Sequence, residues 1–169
     1  PTALHGYTSA QGDLSVRTAI CNYIIKTHHV ACDPDYIYMT CGAAASLVIS
    51  LSALCEEGDE VITFAPYFTE YKVFTETAGA KLVALDSDPD TFQINFALLE
   101  KSITMKTRAV LVNSPNNPSG VVYNENTVRR LSELLTKKSE EYGKTIYLVT
   151  DEPYRELVYG GVKVPYLTN

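Results

Sequence analysis

Four short segments carry residue types that could do chemistry. Gly42-Ala43-Ala44 lies between a strand-like and a helix-like stretch. Backbone N–H groups at a helix start lack internal partners, and the helix dipole favours an anion there. Gly and Ala let a phosphate approach closely, although a simple tight turn has the same composition. Phe68, after Pro66-Tyr67, offers an aromatic face that could stack on a flat heterocycle; an aromatic in a helix's first turn also serves as plain core. The run Asn113-Ser114-Pro115-Asn116-Asn117-Pro118-Ser119-Gly120 is more constrained. Its prolines fix φ and remove donors, and Gly120 closes it, so an amide side chain is held in one orientation. Asp151-Glu152-Pro153-Tyr154 follows an apolar stretch. A carboxylate buried there beneath a cofactor is costly unless paired, and a protonated pyridine nitrogen would pair it. An exposed carboxylate capping a loop is the plainer reading.

The intervening elements alternate. Gly12-Asp13 opens a helix whose apolar face draws on Leu14, Ile20, Ile24 and Ile25, with Asp13 or Ser15 as cap. Tyr36 to Thr40 reads as a short strand. Gly42 begins a second helix through Leu54, apolar all round and so expected to be buried. Glu60 to Phe64 is a strand, and Pro66 starts a helix that runs to Thr77 and stops at Gly79. Lys81 to Leu85 is a strand, Asn95 caps a helix to Ser102, and Ala109 to Val112 is a strongly apolar strand. Glu125 to Tyr142 is the clearest amphipathic helix, with Val128, Leu131, Leu134 and Leu135 on one face and Gly143 as its stop. Thr145 to Thr150 is the last strand and delivers Asp151. Alternating strands and helices with short connections predict an α/β fold, a three-layer α/β/α sandwich with a mostly parallel sheet. Ligands in such sheets bind beyond the carboxyl ends of the strands, where the four segments fall.

The composition is globular, at 46% hydrophobic and 20% charged residues. A net charge of -6 with scattered basic residues argues against a nucleic-acid surface. Lys137-Lys138 and Arg129-Arg130 read as a solvated helix face. Cys21, Cys32, Cys41 and Cys55 have neither C-x-x-C spacing nor accompanying histidine pairs, so no metal site is expected. They read as free buried thiols in a cytoplasmic protein, and His28 and His29 as helix-end surface residues. No apolar run approaches a membrane span. The chain reads as one domain over residues 1–169 that opens at Pro1 and closes at Asn169 without a helix after its last strand, as a piece of a longer protein would.

In this order the segments resemble the class I/II aminotransferases of the fold-type-I pyridoxal-phosphate enzymes. The resemblance spans essentially the whole chain. It rests on His5-Gly6-Tyr7, on Gly12-Asp13-Leu14-Ser15-Val16-Arg17, on Thr40-Cys41-Gly42-Ala43 and on Gly58-Asp59-Glu60-Val61. Pro66-Tyr67, Asn113 to Gly120, and Asp151-Glu152-Pro153-Tyr154 complete it. The family's leucine before the arginine is Val16 here.

What the resemblance implies is specific. Gly42, Ala43 and Ala44 cradle the phosphate of pyridoxal 5'-phosphate, and Phe68 stacks on its ring. Asn117 and Tyr154 donate to the phenolic oxygen. Asp151 pairs with the pyridine N–H⁺, which keeps the ring an electron sink. Tyr7 reaches the phosphate of the neighbouring subunit in a homodimer, and Arg17 is structural. The family's Schiff-base lysine falls farther beyond Tyr154 than Asn169 does, and Lys163 lacks its context. The small domain and its carboxylate-gripping arginine are missing too, so the chain holds no catalytic residue and is expected to be inactive alone. Its parent would transfer an amino group from an amino acid to a 2-oxo acid. The same cofactor floor would serve a carbon–sulfur lyase or the ligand-binding domain of a regulator.

Overall fold

The computed structural model describes residues 6–166; His5 of the first motif lies outside them. By their contacts the described residues form two compact units, one within Pro1–Gly42 and one within Ala43–Leu167.

The first unit holds helix α1, Leu14–His28. Asp13 caps it by accepting from the N–H groups of Ser15 and Val16. The buried residues of α1 are Arg17 and Cys21. Leu14 and Ile25, expected on the apolar face, are exposed. What α1 buries instead includes a polar anchor: the Arg17 guanidinium donates to the carbonyls of Gly12 at 3.3 Å and Pro34 at 2.5 Å, burying its stem with them. Tyr36 to Thr40 is not a strand. Asp33 caps a 3₁₀ turn at Pro34–Tyr36, and the extended residues after it have no ladder. Gly12 has a φ of 95°, and a Cβ there would come 2.5 Å from Cγ of Met39, so both backbone and space require glycine. Cys41 is exposed, unlike the buried Cys21 and Cys55.

The second unit is a parallel four-stranded sheet. In chain order it runs α2 (Ala43–Leu54), β1 (Glu60–Ala65), α3 (Glu70–Thr77), β2 (Lys81–Asp86) and α4 (Phe96–Ser102). It continues with β3 (Thr107–Asn113), α5 (Glu125–Tyr142) and β4 (Tyr147–Asp151). The strand order is β2-β1-β3-β4. Alternation along the central strands feeds two cores. Ile62, Phe64, Val110 and Val112 face Leu99 of α4 and Val128, Leu131 and Leu135 of α5. Val61, Ala109 and Leu111 face Leu47 and Leu51 of α2 and Tyr71 and Phe74 of α3. Helices therefore cover both faces, which gives the three layers. Asn95 and Asn124 cap α4 and α5 through their side chains, and Gly143 ends α5 in the left-handed region.

Two further elements, both in the second unit, differ from the sequence reading. The helix expected from Pro66 begins only at Glu70, which leaves residues 66–68 irregular beyond β1. The second helix is not buried all round: Leu47 and Leu51 are, whereas Ile49 is 59% exposed. A helix on the outer layer of a sandwich has only one face to bury.

Strand order reverses between β1 and β3, because the chain steps from β1 out to β2 and then crosses back. That switch point opens a crevice beyond the carboxyl ends of the strands. The two-sided core predicts a contrast within α2. Leu51→Ala should lower unfolding free energy by about 2–5 kcal/mol, while Ile49→Ala should stay within about 0.5 kcal/mol of wild type. Urea denaturation followed by circular dichroism measures both.

Candidate functional site

Four strand and helix ends meet at the crevice. They enclose a cavity of about 220 Å³ whose lining includes Ala43, Ala44, Phe68, Asn113, Asn117, Asp151 and Tyr154. Ala43 and Ala44 supply the first turn of α2 and are exposed. Gly42 precedes them with a φ of 89° and belongs to the first unit, as does Tyr7, which is fully exposed. The second unit thus brings together Ala43, Ala44, Phe68, Asn117, Asp151 and Tyr154 of the residues read from sequence.

Register places the carboxylate. Asn113, the last residue of β3, pairs with Asp151, the last of β4. Nδ2 of Asn113 donates to the Asp151 carbonyl at 2.7 Å, and Oδ1 of Asn113 accepts from the Asn117 N–H at 2.6 Å. Asn117 in turn sets its side-chain amide 3.4 Å from the Tyr154 hydroxyl. Ser114, Asn116 and Ser119 close the loop between: Ser114 Oγ accepts from the Tyr123 N–H, and Asn116 Oδ1 accepts from the N–H and hydroxyl of Ser119.

Asp151 is half-buried, not an exposed cap. Its Oδ2 accepts from the Tyr71 hydroxyl at 2.6 Å. Among the described residues no lysine, arginine or histidine forms an ion pair with it. The neighbouring Glu152, by contrast, is matched by Arg155 at 2.6 Å. The two neighbouring carboxylates thus differ: Glu152 is ion-paired with Arg155, and Asp151 is held by the Tyr71 hydroxyl. Burial, then the hydrogen bond and negative charge of Asp151, push the Tyr71 phenol far above the ordinary tyrosine range. Tyr71 stays neutral and acts only as a donor. Phe68 meets its ring edge-on, with centroids 5.7 Å apart.

The sequence reading missed Tyr71 and gave Asn113 no role of its own. Tyr71 had one available signal: it stands one helical turn after Phe68, at the start of α3. A larger cavity of about 480 Å³ shares Asn117 and Tyr154 and extends over Leu157, Val158, Tyr159 and Val162. Among the described residues its lining holds no ionisable group besides tyrosine, whereas that of the smaller cavity includes Glu70 and Asp151. Among the described residues no lysine lines either cavity. The described residues contain no cluster of three or more His, Cys, Asp or Glu that could hold a metal ion, and no helix long and apolar enough to cross a membrane.

Tyr71→Phe keeps the ring packing and removes the donor to Asp151. It should cost about 1–3 kcal/mol at neutral pH. A raised folded-state pKa stabilises fully below the unfolded tyrosine value of about 10 and is lost as pH rises beyond it. Urea titrations across that alkaline range should show wild-type stability falling more steeply with pH than that of the phenylalanine variant.

The comparisons with known proteins agree on one lineage. The family model for aminotransferase class I and II matches residues 2–167. A probable aspartate aminotransferase of Methanocaldococcus jannaschii is 35% identical over 153 residues, covering 90% of this chain and 39% of its own length. The crystal structure of an amino transferase from Eubacterium rectale superposes with a TM-score of 0.96 at 56% identity, over 98% of this chain and 42% of that one. An aromatic aminotransferase from Pyrococcus horikoshii superposes with a TM-score of 0.85 at 29% identity, over 96% and 42%. The chain thus spans about two fifths of the length of these relatives, from 39% to 42%. With its parallel sheet, its switch-point cavity and these matches together, the chain belongs to the class I and II aminotransferase family.

Proposed function

We propose that the chain forms the cofactor floor of a pyridoxal-phosphate-dependent enzyme whose full-length protein transfers an amino group from an amino acid to a 2-oxo acid. The observation that carries this reading is Asp151: a half-buried carboxylate in the cavity whose side-chain hydrogen bond among the described residues comes from a neutral phenol. Such a group favours a cation above it, and a protonated pyridine ring is a flat cation.

The other residues fit the rest of the cofactor. The amides at the start of α2 suit a phosphate, with Gly42, Ala43 and Ala44 leaving room. Phe68 offers its ring for stacking. The Asn117 amide and Tyr154 hydroxyl, 3.4 Å apart, suit one oxygen between them. When bound, the cofactor supplies an electron sink for the carbon that loses or gains a proton. Asp151 would keep the ring nitrogen protonated, Phe68 would fix the plane, and Asn117 with Tyr154 would hold the ring oxygen. Since the chain spans about two fifths of its relatives' length, the covalent anchor and proton carrier are proposed to lie outside residues 1–169, and this chain is expected to be inactive alone.

One relative is named an aspartate aminotransferase and another an aromatic aminotransferase, so the proposed substrate class stays at amino acid and 2-oxo acid. The four free thiols suit a reducing compartment such as the cytoplasm. Exposed Tyr7, Ile49, Val73, Leu157 and Tyr159 suit a homodimer, in which Tyr7 would reach the partner's phosphate.

Titration of the chain with pyridoxal 5'-phosphate, followed by absorbance, tests the floor. Binding should saturate at one per chain, leave no stoichiometric adduct on one lysine after borohydride reduction, and weaken about 10- to 100-fold in Asp151→Asn. Affinity equal to wild type in that variant would remove the reading's main support. Product analysis of the full-length protein separates transfer from elimination: a new amino acid plus a 2-oxo acid is expected, and free ammonia would point to a lyase.

A further inference from the structure

We infer that Asn113 is a positioning residue that sets the two ends of the cofactor clamp on one rigid side chain, a proposal that rests on the cofactor reading above. Asn113 is 3% exposed and uses both halves of its amide. Nδ2 donates to the Asp151 carbonyl at 2.7 Å, and Oδ1 accepts from the Asn117 N–H at 2.6 Å. The amide orientation is fixed by these partners, because a carbonyl only accepts and an N–H only donates. One planar group therefore joins the residue that meets the ring nitrogen to the residue that meets the ring oxygen.

A plain loop pin would not need this. The loop from Ser114 to Val121 already closes on itself through Ser114 with Tyr123, Asn116 with Ser119, and the Asn116 N–H with the Val121 carbonyl at 3.0 Å. The two bonds of Asn113 go instead to Asp151 and Asn117. No other side chain of similar size does both jobs: aspartate has two acceptors and no donor, leucine has neither, and serine is too short to span them. Holding both ends before the ligand arrives reduces the ordering that binding must supply.

The test uses the chain loaded with ring-¹⁵N-labelled pyridoxal 5'-phosphate, comparing wild type with Asn113→Ala and Asn113→Ser. Serine keeps the site polar and guards against a variant that fails to fold. Two measurements are made: hydrogen exchange at the Asn117 amide without ligand, and the ring-nitrogen resonance with affinity when loaded. Both variants should exchange the Asn117 amide about tenfold faster or more, bind the cofactor about tenfold more weakly, and move the ring-nitrogen resonance toward its unprotonated position. Faster exchange with an unmoved ring-nitrogen resonance and wild-type affinity would reduce Asn113 to a loop pin and overturn the inference. Slow exchange in both variants would overturn it as well. A wild-type chain that binds no cofactor would instead sink the cofactor reading, and this inference with it.

Discussion

A carboxylate drawn partly out of water needs a partner, and among the described residues the one that reaches the Asp151 side chain at the end of β4 is the Tyr71 phenol. The β3–β4 register puts Asp151 beside Asn113, and the first turn of α3 brings Tyr71 to its Oδ2. Tyr71 is itself locked, fully buried and stacked against Tyr67 at 6.5 Å. A charged donor at position 71 would have neutralised the carboxylate and left nothing for a ligand. A neutral one orients it at modest cost and leaves the charge available.

The sheet explains why these groups converge. All four strands run the same way, so every β-to-α connection leaves from one edge. The order β2-β1-β3-β4 splits those connections to opposite faces between β1 and β3. Phe68 follows β1, Asn117 follows β3, Asp151 ends β4, and the cavity lies among them. Packing is what makes the edge dependable: Ile62, Val110 and Leu111 are fully buried between the two helical layers, so the strand ends have little freedom to drift.

Much of this was legible in the sequence because it is local. Asn95, Asn124 and Gly143 mark their helix ends by short-range hydrogen bonding, and the apolar strand over residues 109–112 allowed no other reading. The loop from Asn113 to Gly120 declares itself by its prolines. What stayed hidden depends on partners far along the chain. Tyr71 meets Asp151 across 80 positions, and Asn113 meets it across 38. The apolar faces of α1 and α2 were misread for the same reason. Arg17 is buried because carbonyls at Gly12 and Pro34 receive it, and Ile49 lies on the side of α2 that the described residues leave uncovered. Periodicity reports which residues are apolar, and tertiary contact decides which are covered.

The central claim is that Asp151 selects its ligand by charge at one atom. Competition between pyridoxal 5'-phosphate and its 1-deaza analogue, which replaces the ring nitrogen by carbon, tests it most directly. The account predicts that the wild-type chain prefers the natural cofactor by about tenfold or more and that Asp151→Asn erases the preference. Equal affinity of the wild-type chain for both would contradict it, since the carboxylate would then be recognising nothing at the ring nitrogen.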